Sequence, residues 1–167
     1  MTPDWALTLI YWTHMIATVV WIGGLTILLF FVLPLVQKSL APDNQLGLFT
    51  QLQARFDPIS WLCLILLVGT GMFQMSANPN YEGFLSFNNR WSLAILIKHL
   101  VFFGMIVVNA VITLSILPGL KRAALRRQKG LEAAGDQQLQ KQEIRLLRIT
   151  FALGVIILGL TALARIS

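Results

Sequence analysis

The chain has 167 residues, is 56% apolar and only 12% charged, and carries a formal net charge of +6 with a mean hydropathy of +0.72. A soluble domain has about a quarter charged residues, so this composition excludes an ordinary water-soluble domain and makes lipid the main solvent. The single cysteine, Cys63, excludes an internal disulfide and any thiolate-rich metal cluster.

The N-terminal stretch lacks a basic leader, carries Asp4, and stays apolar far beyond the roughly 7–15 residues of a signal peptide. It is predicted to remain as a first span, from about Trp5 to Val36. At about 1.5 Å per residue this run exceeds the ~30 Å hydrocarbon layer, so it tilts or projects from one face. His14 lies inside it. Trp21 follows seven residues later on the same helical face, and Gly23-Gly24 then offers a smooth surface for close approach.

Next, Pro42-Asp43-Asn44 opens a stretch with Leu46, Phe49, Leu52 and Phe56 on one side, the pattern of a short helix lying in the interface. The second span runs from about Pro58 to Ser76 and ends in Gly69-Thr70-Gly71-Met72, Gln74 and Met75. A turn-rich connection from Asn78 to Asn89 brings Tyr81, Phe84 and Phe87, aromatics suited to capping a bundle. The third span, about Trp91 to Leu117, holds Lys98 and His99, with Asn109 and Thr113 reading as packing or interhelical hydrogen-bonding groups. A basic connection follows (Lys121, Arg122, Arg126, Arg127, Lys129), then Gly135, a polar helical stretch to Arg148, and a fourth span from about Ile149 to Ala164. No internal repeat or second domain is evident.

The predicted fold is an all-α integral membrane protein, one four-helix bundle domain over residues 1–167. Helices and closed barrels alone satisfy the backbone in lipid, and these runs lack a barrel's alternation. Ten of the thirteen Lys and Arg residues fall in connections one and three. The positive-inside rule then places those connections in the cytoplasm and both termini outside. Beside a membrane, the basic cluster reads as this topology signal, and no nucleic-acid partner is predicted.

His14 and His99 are the only histidines, and both lie inside spans, where an ionisable group marks a functional site by default. Counted from Trp5 and Trp91, each lies roughly 12–13 Å below the outer interface, so two parallel helices place them at one depth. A shared metal or haem is then geometrically reasonable, since imidazole ligates both. The alternative for each is an ordinary hydrogen bond to a neighbouring helix. Met72 and Met75 near the same level offer soft thioethers suited to Cu(I) or haem iron, although intramembrane methionines also serve as packing. Lys98 competes with His99 for the inward position, because adjacent helical residues point about 100° apart. It either snorkels to the interface or faces the bundle and binds an anionic group such as a porphyrin propionate.

Several of these residues resemble the signature of the copper resistance protein D (CopD) family. They are His14-x6-Trp21-x-Gly23-Gly24, Gly69-Thr70-Gly71, Lys98 with Asn109 and Leu117-Pro118 ahead of basic residues, and Arg145-Leu146-Leu147-Arg148 before the last span. The resemblance covers roughly Tyr11 to Ala164 and implies an inner-membrane protein of copper uptake or tolerance, reduced here to a four-helix core. The HemJ-type protoporphyrinogen oxidases have a similar core. In that group a first-span histidine and a third-span lysine serve haem b, and His14 and Lys98 match those positions. This chain departs from them where their Tyr-Leu-Pro-Arg stretch is replaced by Leu25-Thr26-Ile27-Leu28.

Three functions are therefore expected in competition. The first is a non-enzymatic copper-handling protein with an outward-facing site of His14 and His99, assisted by Met72 or Met75 and supplied by a metal donor outside. The second is a haem b redox protein, with His14, His99 or Lys98 on the cofactor, Trp21 and Gly24 lining it, and an external redox partner. The third is a small structural subunit of a homo-oligomer or larger membrane complex.

Overall fold

In a computed structural model, residues 3–40, 42–79, 83, 90–129 and 135–166 are described, and among them every regular element is helical. The aromatics expected to cap the bundle, Tyr81, Phe84 and Phe87, lie outside the described residues. Helix α1 (Asp4–Thr26) continues through a π-helical stretch, Ile27–Val32, into α2 (Leu33–Ser39). Helix α3 spans Pro42–Ser76, α4 spans Arg90–Val111, a second π-helical stretch covers Ile112–Ile116, and α5 (Leu117–Gln128) and α6 (Asp136–Ile166) complete the chain. Gly135, at φ +87°, supplies the left-handed turn from which α6 starts.

Four helices are long and apolar enough to cross a membrane: Asp4–Ser39, Asn44–Ser76, Trp91–Gln128 and Gln137–Arg165. Their outward faces are apolar as well: Met15, Val19, Phe31, Leu100, Phe103 and Leu114 are each at least 65% exposed. In water such a surface would be a liability, whereas in lipid it is the expected boundary.

The stretch predicted as a separate interfacial helix does not form one. Residues 42–76 run as a single helix through Pro58. Leu46 and Phe49 are buried in the protein, and Leu46 packs in a small cluster with Ile116, Leu120 and Ala123. That apolar face thus has a protein partner on α5.

Both π-helical stretches have one cause. Each is followed by Leu-Pro, Leu33-Pro34 and Leu117-Pro118, at the first turn of the next helix. Proline has no N–H and its ring crowds the carbonyl four residues back, here Phe30 and Leu114, each inside its π stretch. The widened turn relieves that crowding while keeping the helix going. This shared device shows an equivalence that the sequence reading missed. His14 and Lys98 stand equally far ahead of Pro34 and Pro118, and the same offset pairs Trp21 with Met105, Leu25 with Asn109, Leu28 with Ile112 and Leu33 with Leu117, all buried. Few side chains match, so the repeat lies in burial register and not in residue identity.

Helix α1 packs along α3, α4 along α6, and α5 against α3, while α6 also touches α1. Helix α1 meets α6 at Gly154, where a Cβ would sit 3.2 Å from Trp21 Cζ3, and the π-helical stretch that follows α1 adds an edge-to-face pair of Phe30 and Phe151 at 5.4 Å. One core joins Trp21, Leu25, Phe49, Leu64, Met105, Ile112 and Leu147 from all four spans.

Candidate functional site: a polar column in the bundle

Polar side chains run along the inner face of α3, from half-buried Thr70 near the end holding the chain termini to buried Thr50 near the basic end. At about 1.5 Å per residue they extend over roughly 30 Å. Polar groups at such depth are costly unless they are paired or have a use.

At the termini end, His14 Nδ1 lies 2.7 Å from Thr70 Oγ1. Thr70 gives its only hydroxyl proton to the Leu66 carbonyl at 2.5 Å. Its oxygen is therefore an acceptor toward the ring, which places the imidazole proton on Nδ1 and leaves the Nε2 lone pair available. No hydrogen bond engages Nε2 among the described residues. Gly71 lies against the same ring, where an added Cβ would sit 3.5 Å from His14 Cε1. The buried Gln74 Nε2, one turn on, also has no partner.

Lys98 is the third-span residue whose charge bears on this imidazole. It lies close enough to His14 to act on it electrostatically. His99 instead sets Nδ1 2.7 Å from the Ile95 carbonyl of its own helix. Of the sequence-predicted residues, Met72 is 53% exposed, Met75 is buried, Gly23 has open space, and the face of Gly24 is filled by the Phe56 ring. The structure thus brings together His14, Thr70 and Lys98. Among the described residues no three His, Cys, Asp or Glu side chains form a group able to hold a metal.

The middle of the column is a relay of hydrogen bonds between three spans. Trp21 Nε1 donates to Ser60 Oγ at 2.8 Å, and Ser60 donates to Asn109 Oδ1 at 3.1 Å. Nearer the basic end, Trp61 Nε1 donates to Thr113 Oγ1 at 2.9 Å, and Thr113 donates to Asp57 Oδ1 at 2.6 Å. Asn109 and Thr113 are the interhelical hydrogen-bonding groups their sequence context indicated.

Below that relay the pairing stops. Glu143 of α6 is completely buried with neither carboxyl oxygen bonded, and Gln53 Oε1 and Thr50 Oγ1 of α3 are buried without partners. Asp57 is near enough to Glu143 for their charges to interact. Sequence reasoning missed Asp57, Ser60 and Glu143. The available signal was the spacing of Thr50, Gln53, Asp57 and Ser60, a helical stripe of polar residues on the same inward side as Leu46 and Phe49.

Comparison with known families adds a name to this architecture. The family model described as Copper resistance protein D (CopD) matches residues 50–164. The chain belongs to the CopD family. The match takes in spans two to four, with Thr70, Lys98, His99 and the buried carboxyls, while His14 and Trp21 precede it. No curated protein and no solved structure matches the chain. Family membership and four apolar helices make this a multi-pass membrane protein whose family name points to copper resistance.

Proposed function

We propose that the protein handles copper as cargo, accepting Cu(I) at His14 from the side on which both termini lie. That side is taken as extracytoplasmic because the opposite end carries the basic connections. The observation that carries the reading is the His14–Thr70 hydrogen bond, which fixes the tautomer and presents Nε2 as a ligand in a largely apolar setting. Imidazole and thioether donors suit Cu(I). A single imidazole beside a lysine binds a cation weakly, which favours transfer over storage. Role in uptake or homeostasis follows from such transfer.

Competition titration against a chromophoric Cu(I) chelator tests this on purified protein. Wild type is expected to withdraw Cu(I) and His14→Ala to lose that capacity while keeping its helical circular dichroism. Equal binding by both proteins, or none by wild type, overturns the reading.

The position of Lys98 favours a second reading, haem b bound axially by His14 with a propionate on Lys98. Lys98→Leu, which removes the charge without adding a ligand atom, separates the two. Removing the ammonium tightens Cu(I) binding by relieving repulsion, whereas it weakens haem retention and with it the Soret band.

A further inference from the structure

The basic-end half of the bundle holds a set of unpaired buried oxygens separate from His14. Glu143 Oε1 and Oε2, Gln53 Oε1 and Thr50 Oγ1 are all buried and all without a hydrogen-bond partner; the carboxylate and amide oxygens can only accept, and the Thr50 hydroxyl can accept as well as donate. They come from two helices, α3 and α6, and Asp57 adds a second carboxyl, with one oxygen engaged by Thr113. Native proteins rarely leave such groups unmatched, and an unpaired buried carboxylate is the costliest of them. What the set lacks is positive charge.

Among the described residues, no cationic side chain is hydrogen-bonded to these oxygens. Lys141, Arg145 and Arg148 of α6 line an outward groove with Gln37 of α2. Lys38 of α2, Arg55 of α3 and Lys121, Arg122 and Arg126 of α5 are exposed, and Arg127 lines a second surface groove. The π-helical stretches contribute no titratable group. The donor set is all oxygen, with no sulfur or imidazole, so it fits a hard cation and not Cu(I).

We propose that Glu143, Asp57, Gln53 and Thr50 hold one exchangeable hard monovalent cation, a proton or a sodium ion, in the basic-end half of the bundle. Occupancy offsets one of the two negative charges of the carboxyl pair and gives the Glu143 carboxylate, otherwise orphaned, a partner. Intramembrane carboxyls of this kind mark ion and proton pathways. The site stands independently of the copper reading, because it shares no ligand with His14.

Thermal unfolding of the full chain in detergent tests it, comparing NaCl with choline chloride at equal ionic strength across a pH series. In the sodium case the midpoint of wild type rises with each tenfold increase in NaCl and not with choline. In the proton case sodium has no effect. The native chain then holds a proton that the unfolded chain releases, so the midpoint falls as pH rises. An infrared carbonyl band of a protonated carboxyl is also present, and is lost in Glu143→Gln. Asp57→Asn weakens whichever response is seen, and Asp4→Asn, an exposed acid in the first turn of α1, leaves it unchanged. Wild type with neither sodium dependence nor a protonated-carboxyl band overturns the proposal. So does Glu143→Gln retaining the wild-type response. The wild-type measurements decide even where a variant fails to fold.

Discussion

Spans one and three share a backbone plan and differ in chemistry. Each runs from the termini end through a π-helical stretch into Leu-Pro, and their buried positions coincide in register. At matching positions span one carries His14, Trp21 and Leu25, and span three carries Lys98, Met105 and Asn109. The scaffold is therefore nearly repeated while the interior is not. An imidazole held by Thr70 faces an ammonium, and an indole donor on one span corresponds to a thioether on the other. Function lives in such side chains and not in the scaffold that carries them.

Removing the paired core residues gives the largest effect. Trp21 is 2% exposed, donates to Ser60 and packs on Gly154. Trp21→Ala is expected to cost about 3–5 kcal/mol, the range for deleting a buried aromatic. Met105, 1% exposed but without a hydrogen bond, should cost about 2 kcal/mol as Met105→Ala. Circular dichroism during SDS titration from mild detergent measures both. Equal losses would mean that the indole–serine bond adds nothing and that the two positions differ only in name.

How far the sequence led follows the same division. Hydropathy placed four helices because an apolar run of that length has one stable form in lipid, and it marked His14 because a lone ionisable group in such a run is conspicuous. It misplaced the start of span two. Leu46 and Phe49 have the spacing of an interfacial helix, and only the packed bundle shows that protein covers them, Leu46 beside α5 and Phe49 in the main core. The choice between Lys98 and His99 was open for a similar reason. Neighbours 100° apart cannot be ranked without the rotation of the helix, which packing against α6 sets. Glu143 was hidden among Lys141, Arg145 and Arg148, in a stretch whose charge reads as solvated.

A smaller effect tests the asymmetry at the top of the two spans. Thr70→Val keeps the shape but removes the acceptor for His14 Nδ1–H. Loss of an outer partner of this kind lowers metal affinity about 10–100-fold, read by the same Cu(I) competition. Stability should change by only about 0.6 kcal/mol, an average membrane hydrogen bond. Unchanged affinity would show that the tautomer is set elsewhere, removing the main chemical difference between His14 and its span-three counterpart.

The smallest effect bears on the shared backbone. In a regular helix a proline costs about 3 kcal/mol, through its missing N–H and its clash with the carbonyl four residues back. Here the π stretches Ile27–Val32 and Ile112–Ile116 already widen the helix at Phe30 and Leu114, so most of that cost is absorbed. Pro34→Ala and Pro118→Ala should therefore each change stability by less than about 1 kcal/mol, and by similar amounts. If one variant shifts far more than the other in SDS titration, the two π stretches do not share a cause. The π geometry in the more sensitive span would then be held by its packing and not by its proline. The nearest candidate contact is the Phe30–Phe151 pair, which among the described residues has no counterpart in span three.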